Sequence, residues 1–181
     1  MNKQYEINDK DFTKIKEFVH KRKKDSELYK QRGGFREEDL WVGAFAEIAA
    51  YNYLREKGKD VSYPDFAIYD KKDKSYAADL FDGSKFYHIK GQSKRSQKLY
   101  GHSWLLQRYD KIVKKSIKNH CLVLCNVDVE NRTVEIVGTP TLNSIHRTES
   151  FGECSYFAFR KTKVALYLKQ LKENINNIWS V

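Results

Sequence analysis

The chain has 181 residues and a formal net charge of +10, from 34 lysines and arginines against 24 aspartates and glutamates. With 40% hydrophobic and 32% charged residues it can fill the core of one ordinary domain, which excludes an intrinsically disordered segment. No apolar run approaches the roughly 18 residues of a membrane span, the polar, mixed-charge stretch Met1–Lys10 is not expected to be a secretory signal, and an odd set of cysteines (Cys121, Cys125, Cys154) argues against a disulfide framework and for a reducing, cytoplasmic setting.

No repeat, low-complexity tract or Pro/Gly-rich linker divides the chain, so residues 1–181 are expected to form a single domain. Asn8 or Asp9 can cap a first helix over about 9–30, with Phe12, Ile15 and Val19 on one face. Arg32–Phe35 reads as a break, followed by a helix from Glu38 to Lys57 that Gly58 stops. Strands are expected at Asp65–Tyr69, Ser75–Phe81 and Lys85–Gly91, the last two joined by a hairpin at Asp82-Gly83. A helix is expected over Ser103–Lys118, then strands His120–Val127 and Thr133–Gly138, and a last helix over Thr162–Asn174. The order α-α-β-β-β-α-β-β-α suits an α/β (α+β) domain with a mixed sheet flanked by helices.

The chemistry concentrates at the hairpin. Side chains alternate along a strand, so His88, Lys90 and Gln92 share one face while Ile89 points away into a core. A connection of two or four residues also turns Asp79 to that face, and one of three residues turns it away. On the second helix, Ala44, Glu47, Ile48 and Tyr51 follow helical spacing, which places Glu47 on the apolar stripe. A carboxylate there needs a cation, a metal or strong donors. Gly43, Ala46, Ala49 and Ala50 are small enough to let this helix lie close against a sheet. Two carboxylates, a lysine and two polar groups can thus converge, and phosphodiester hydrolysis uses such a set: hard oxygen ligands for Mg²⁺ and a lysine to orient water or stabilise charge.

The pattern Gly43-x-x-x-Glu47, then Asp79, then His88-Ile89-Lys90 resembles the signature of the PD-(D/E)XK nucleases, whose members include restriction endonucleases and Holliday-junction resolvases. The resemblance covers about Asp39 to Lys118, within an expected catalytic core of about residues 39–138. It implies a restriction-endonuclease-like sheet and an endodeoxyribonuclease acting on double-stranded or branched DNA with Mg²⁺ or Mn²⁺. It assigns Asp79, Glu47 and the Ile89 carbonyl to the metal and Lys90 to catalysis. His88 stands where the family has an acidic residue. Three roles stay open for it: ligating Mn²⁺, proton transfer, or marking an impaired site. Pro64-Asp65 is the reserve for the first acid, but it lies 23 residues before His88 against nine for Asp79, and a short hairpin favours Asp79. Many relatives act as dimers, so a homodimer is admitted too.

Beyond Lys90, Gln92, Lys94, Arg95 and Lys98 offer donors to phosphates in an expected loop, and Gln107 and Arg108 could face the same cleft from the following helix. Tyr100 and Trp104 could stack on bases, although such residues more often pack. The aromatic run Phe151–Phe159 is expected to pack in the core. Cys121 and Cys125 share a strand face. With His120 and Cys154 they raise zinc, but the spacing is not that of a zinc knuckle and a buried strand accounts for them.

Overall fold

The most apolar run of the chain, His120–Asp128, forms strand β5, whose interior residues Cys121–Val127 are all buried. A strand apolar on both faces belongs in the middle of a sheet covered on both sides. In the computed structural model, which describes residues 2–24, 37–67, 78–175 and 178–179, β5 is the central strand of a five-stranded mixed sheet. Strand β3 (Phe86–Ser93) runs parallel to it on one side, and β6 (Thr133–Gly138) antiparallel on the other. Strands β1 (Lys3–Glu6) and β2 (Leu80–Phe81) form the edges, giving the order β1-β6-β5-β3-β2.

The two faces of this sheet build two cores. Cys121, Val123, Cys125 and Val127 of β5, with Tyr87 and Ile89 of β3, pack against helices α1 (Asp9–Lys24) and α2 (Glu37–Glu56). The small residues of α2 permit a close approach. A Cβ added to Gly91 would stand 2.8 Å from Val42 Cγ1 and 3.2 Å from Ala46 Cβ, so the helix rests almost directly on the β3 backbone. Gly43 is no part of that approach, because it faces open space. On the other face, Leu122 and Leu124 meet Trp104 and Leu106 of a second sheet. That sheet comprises β4 (Ser103–Gln107), β8 (Lys163–Tyr167) and β7 (Gly152–Glu153) in the order β4-β8-β7. Helices α5 (Leu142–Arg147) and α6 (Leu168–Asn174) add to the same core. The result is a single mixed α/β domain.

Parallel strands need a crossover. Here α3 (Lys94–Tyr100), β4 and α4 (Lys111–Lys114) carry the chain from β3 to β5. This corrects two expectations. Residues 94–98 form a helix, not a loop: Ser93 caps it by accepting the Ser96 N–H, and Gly101 ends it at φ 68°. Residues 103–118 are not one helix. Ser103–Gln107 pair antiparallel with Lys163–Tyr167, and helix begins only where Asp110 accepts the Ile112 N–H. The same pairing turns the first half of the expected C-terminal helix into β8. Local sequence tolerates helix at both places, but the face of β5 needs a cover, and two paired apolar strands supply it.

Smaller differences follow the same logic. Strand β1, α5 and β7 were not anticipated, since each is short and gains its stability by pairing or packing at a distance in the chain. Asp65, Phe66 and Ala67 are not in a strand. Residues 68–69 and 75–77, the break at 32–35 and the end of the first helix past residue 24 lie outside the described residues. Helix α2, its stop at Gly58 (φ 73°), and strands β3, β5 and β6 match the sequence reading closely.

Candidate active site

Strand β2 is only two residues long, and its register with β3 is Leu80↔Tyr87 and Phe81↔Phe86. The connection is therefore the four residues Asp82–Lys85, and Asp79 stands just before β2, where strand alternation no longer fixes its face. Asp82 holds the turn. Its Oδ1 accepts the Lys85 N–H at 2.6 Å and the Ser84 N–H at 2.9 Å, and its Oδ2 accepts the Tyr87 hydroxyl at 2.7 Å. Partial burial opposes the Asp82 charge, but those bonds outweigh it and keep the carboxyl below the usual range.

Asp79 sits where the edge strand begins. Its N–H donates to the Tyr87 carbonyl at 3.0 Å, and its Oδ2 accepts the Ile89 N–H at 2.6 Å. The N–H and C=O of one strand residue point to the same side. The Ile89 carbonyl therefore faces the Asp79 side, along the edge of β3 that β2 is too short to cover. Glu47, on α2, is half-buried, and no hydrogen bond or ion pair reaches its carboxyl among the described residues. Asp79 is exposed to solvent on part of its surface, yet protein mass around each carboxyl disfavours charge. Burial, then the neighbouring Asp79, pushes Glu47 up to about 8 against the pull of Lys90. Burial also raises Asp79, opposed by Lys90 and the Ile89 N–H. Lys90 thus acts on both carboxyls. Among the described residues it closes no ion pair with either, so an ordinary cross-strand salt bridge is not what brings it there.

Two groups join this cluster from elsewhere. Asp65, the reserve acid, adds to the negative field at Glu47. Asp110, at the start of α4, acts on both Asp79 and His88. Asp110 is not among the residues expected at the site; as the N-cap of α4 it sits inside the single helix expected over Ser103–Lys118. Among the described residues no three His, Cys, Asp or Glu side chains gather closely enough to hold a metal. Glu47 lies on the α2 face of the sheet and Lys90 on the other, so the two carboxyls and the Ile89 carbonyl would meet only around the uncovered edge of β3, where they would make a hard-oxygen set suited to Mg²⁺ or Mn²⁺ completed by water. A cation bound beside the unpartnered Glu47 carboxyl would favour its ionised form, which the protein alone disfavours.

His88 is buried and turned toward β5. Its Nε2 lies 2.8 Å from Nδ1 of His120, and the rings stack at 5.1 Å. Phe86 stacks on His120 in turn at 4.8 Å, and Phe81 on Phe86 at 4.4 Å. Burial, with Lys90 and His120 beside it, lowers His88 to about 4, and burial lowers His120 as well. Burial thus favours the neutral form of both rings, with one of the two facing nitrogens donating to the other. Gln92 lies on the same face but is fully occupied as a clamp. Its amide donates to the Gly101 carbonyl at 2.8 Å and its oxygen accepts the Ser103 N–H at 3.0 Å, which ties the end of β3 to the start of β4.

Comparison of the chain with family models, curated proteins and solved structures finds no match.

Of the residues expected to grip nucleic acid, Lys94, Arg95 and Lys98 are exposed on α3. Lys94 is held by Asp128 at 2.6 Å, with the carboxylate partly shielded. Gln107 and Arg108 lie at the end of β4, not on a helix. Arg108 is spent on structure, donating to the Arg160 carbonyl at 2.7 Å. Trp104 is in the core, its indole N–H on the Cys125 carbonyl at 2.9 Å where β5 slips register against β6, so it is no stacking residue. Cys121, Cys125 and Cys154 are all free and buried. An open cleft lined by Glu6–Asp9 and Glu130–Arg132 contains none of the site residues. No helix among the described residues is long and apolar enough to cross a membrane.

Proposed function

We propose that this protein is a metal-dependent nuclease of the PD-(D/E)XK kind, hydrolysing phosphodiester bonds of DNA. The observation that carries the reading is the placement of Asp79: locked to the Ile89 N–H, beside the Ile89 carbonyl, and sharing one field with Glu47 and Lys90. Asp79, Glu47 and the Ile89 carbonyl would hold Mg²⁺ or Mn²⁺. Such an ion, when bound, stabilises charge on the phosphate and acidifies a water. Lys90, which pairs with no carboxylate among the described residues, would orient the attacking water or stabilise negative charge developing on phosphate oxygens. The His88–His120 pair, neutral at pH 7, keeps a second positive charge out of the cluster and fixes the strand face from which Lys90 projects. The positive surface brings the polyanion in. Cutting both strands of a duplex needs two such sites, which a homodimer would supply.

The test is cleavage of plasmid and branched DNA with Mg²⁺ or Mn²⁺. Asp79→Asn and Lys90→Ala should each lower the rate on the order of a thousandfold, as loss of transition-state charge stabilisation does, with melting temperatures little changed. Undiminished cutting by both variants removes the assignment. A second reading, a nucleic-acid-binding module with an impaired site, is favoured by one observation: His88 stands at the acidic position and spends its Nε2 on His120. Salt-sensitive DNA binding with no cleavage under any divalent ion would select it.

A further inference from the structure

The aromatic run Phe151–Phe159 leaves the core at its far end, contrary to its expected packing there. Phe157 is 79% exposed and Tyr156 44%, and α3 brings Tyr100 (40%) to Tyr156 with the two rings at 5.8 Å, while Leu99 (64%) is exposed beside Tyr100 on α3. Single exposed apolar side chains are ordinary, but four in one place mark a contact surface. This one is laced with cations. The Arg160 guanidinium lies 5.5 Å from the Phe157 ring centre, and Lys98 is exposed beside Leu99 on α3. Glu153, 3.8 Å from Arg160, is the nearby acid. The segment is braced: Arg160 Nε donates to the Cys154 carbonyl at 3.2 Å, and the Tyr167 hydroxyl bonds both Ser155 N–H and the Glu153 carbonyl at 2.9 Å.

We infer that this surface is a stacking platform for unpaired nucleotides, with bases on Phe157, Tyr156 and Tyr100 and phosphates on Lys98 and Arg160. Rings alternating with cations match bases alternating with phosphates, whereas an interface between protein chains would favour a dry, charge-poor centre. Helix α3 links the platform to the strand of the proposed active site: it begins four residues after Lys90, and the Gly101 carbonyl at its end accepts from Gln92 of the same strand at 2.8 Å. The inference rests on the proposal that the substrate is nucleic acid, and adds that the strand is single beside the site.

The experiment is fluorescence anisotropy of a fluorescein-labelled twelve-nucleotide oligothymidine, and of a blunt duplex, with the full chain and no divalent metal. The protein should prefer the single strand. Phe157→Ala and Tyr100→Ala should each weaken that binding about tenfold, the loss of one base stack, while duplex binding holds. Phe157→Trp should retain affinity, and unchanged melting curves exclude misfolding. Equal affinity of both alanine variants and the wild type, or no preference for the single strand, overturns the platform. So does altered sedimentation of Phe157→Ala with unaltered oligonucleotide binding, which would make the surface a self-association site. Because oligonucleotide binding is measured without divalent metal and apart from the cleavage assay, a failed platform and a failed nuclease assignment are told apart.

Discussion

Glu47 is the residue on which pH acts most plainly. An unfolded chain ionises it near the ordinary value of 4.5, while the fold raises it to about 8. Its folded pKa being the higher one, the fold keeps Glu47 protonated through that window. Stability is then fully present below 4.5 and is lost as pH rises toward 8. Glu47→Gln, which cannot ionise, should melt with the wild type near pH 4.5 and at a higher temperature near pH 8.5. A melting difference that does not change with pH would refute this. Millimolar Mn²⁺ should raise the wild-type melting temperature at pH 8 and leave Glu47→Gln nearly unmoved. His88 works in the opposite direction: its pKa falls to about 4, so its contribution is intact above 6.5 and lost as pH drops from there to 4.

Helix α2 and strand β3 set the site jointly, one presenting Glu47 and the other Lys90 and the Ile89 backbone. Their separation depends on Gly91, where a methyl group would press on Val42 and Ala46 at 2.8 and 3.2 Å. Gly91→Ala should therefore destabilise the domain by about 1–3 kcal/mol, read by urea unfolding. It should also lower cleavage more than stability alone explains, because the helix carrying Glu47 is pushed off the strand carrying Lys90. A variant as stable and active as the wild type would mean that α2 can shift without cost. The small residues at 46, 49 and 50 announced this contact in the sequence. The hairpin did so less completely, since both two- and four-residue connections satisfied the alternation, and only the bonds of Asp82 select four.

At the scale of the whole molecule, the net charge of +10 would, on the proposed reading, govern the encounter with DNA. Affinity for duplex DNA should fall steeply between about 50 and 200 mM salt, with a slope of roughly −0.9 per phosphate neutralised. Arg95→Ala and Lys98→Ala should each reduce that slope by about one. Lys94→Ala should reduce it less, because Asp128 already holds its ammonium. Equal effects at all three positions, or a salt-independent affinity, would contradict this picture of the α3 surface.

What the sequence by itself determined is local or periodic. Alternation placed His88, Lys90 and Gln92 on one face, helical spacing and Gly58 delimited α2, and the apolar run of β5 announced a central strand. These features follow from the two side-chain periods of helix and strand, which any stretch of chain carries within itself. The tertiary structure alone decided whether Ser103–Gln107 and Lys163–Tyr167 became helix or strand, because each is stabilised by the other across more than fifty residues of chain. It alone revealed that His88 is bound to His120, that Asp110 enters the Asp79 cluster, and that Trp104 is buried while Phe157 is exposed. Which side chains meet depends on how the second sheet lies over β5, and pairing between distant segments leaves no period in the sequence to read.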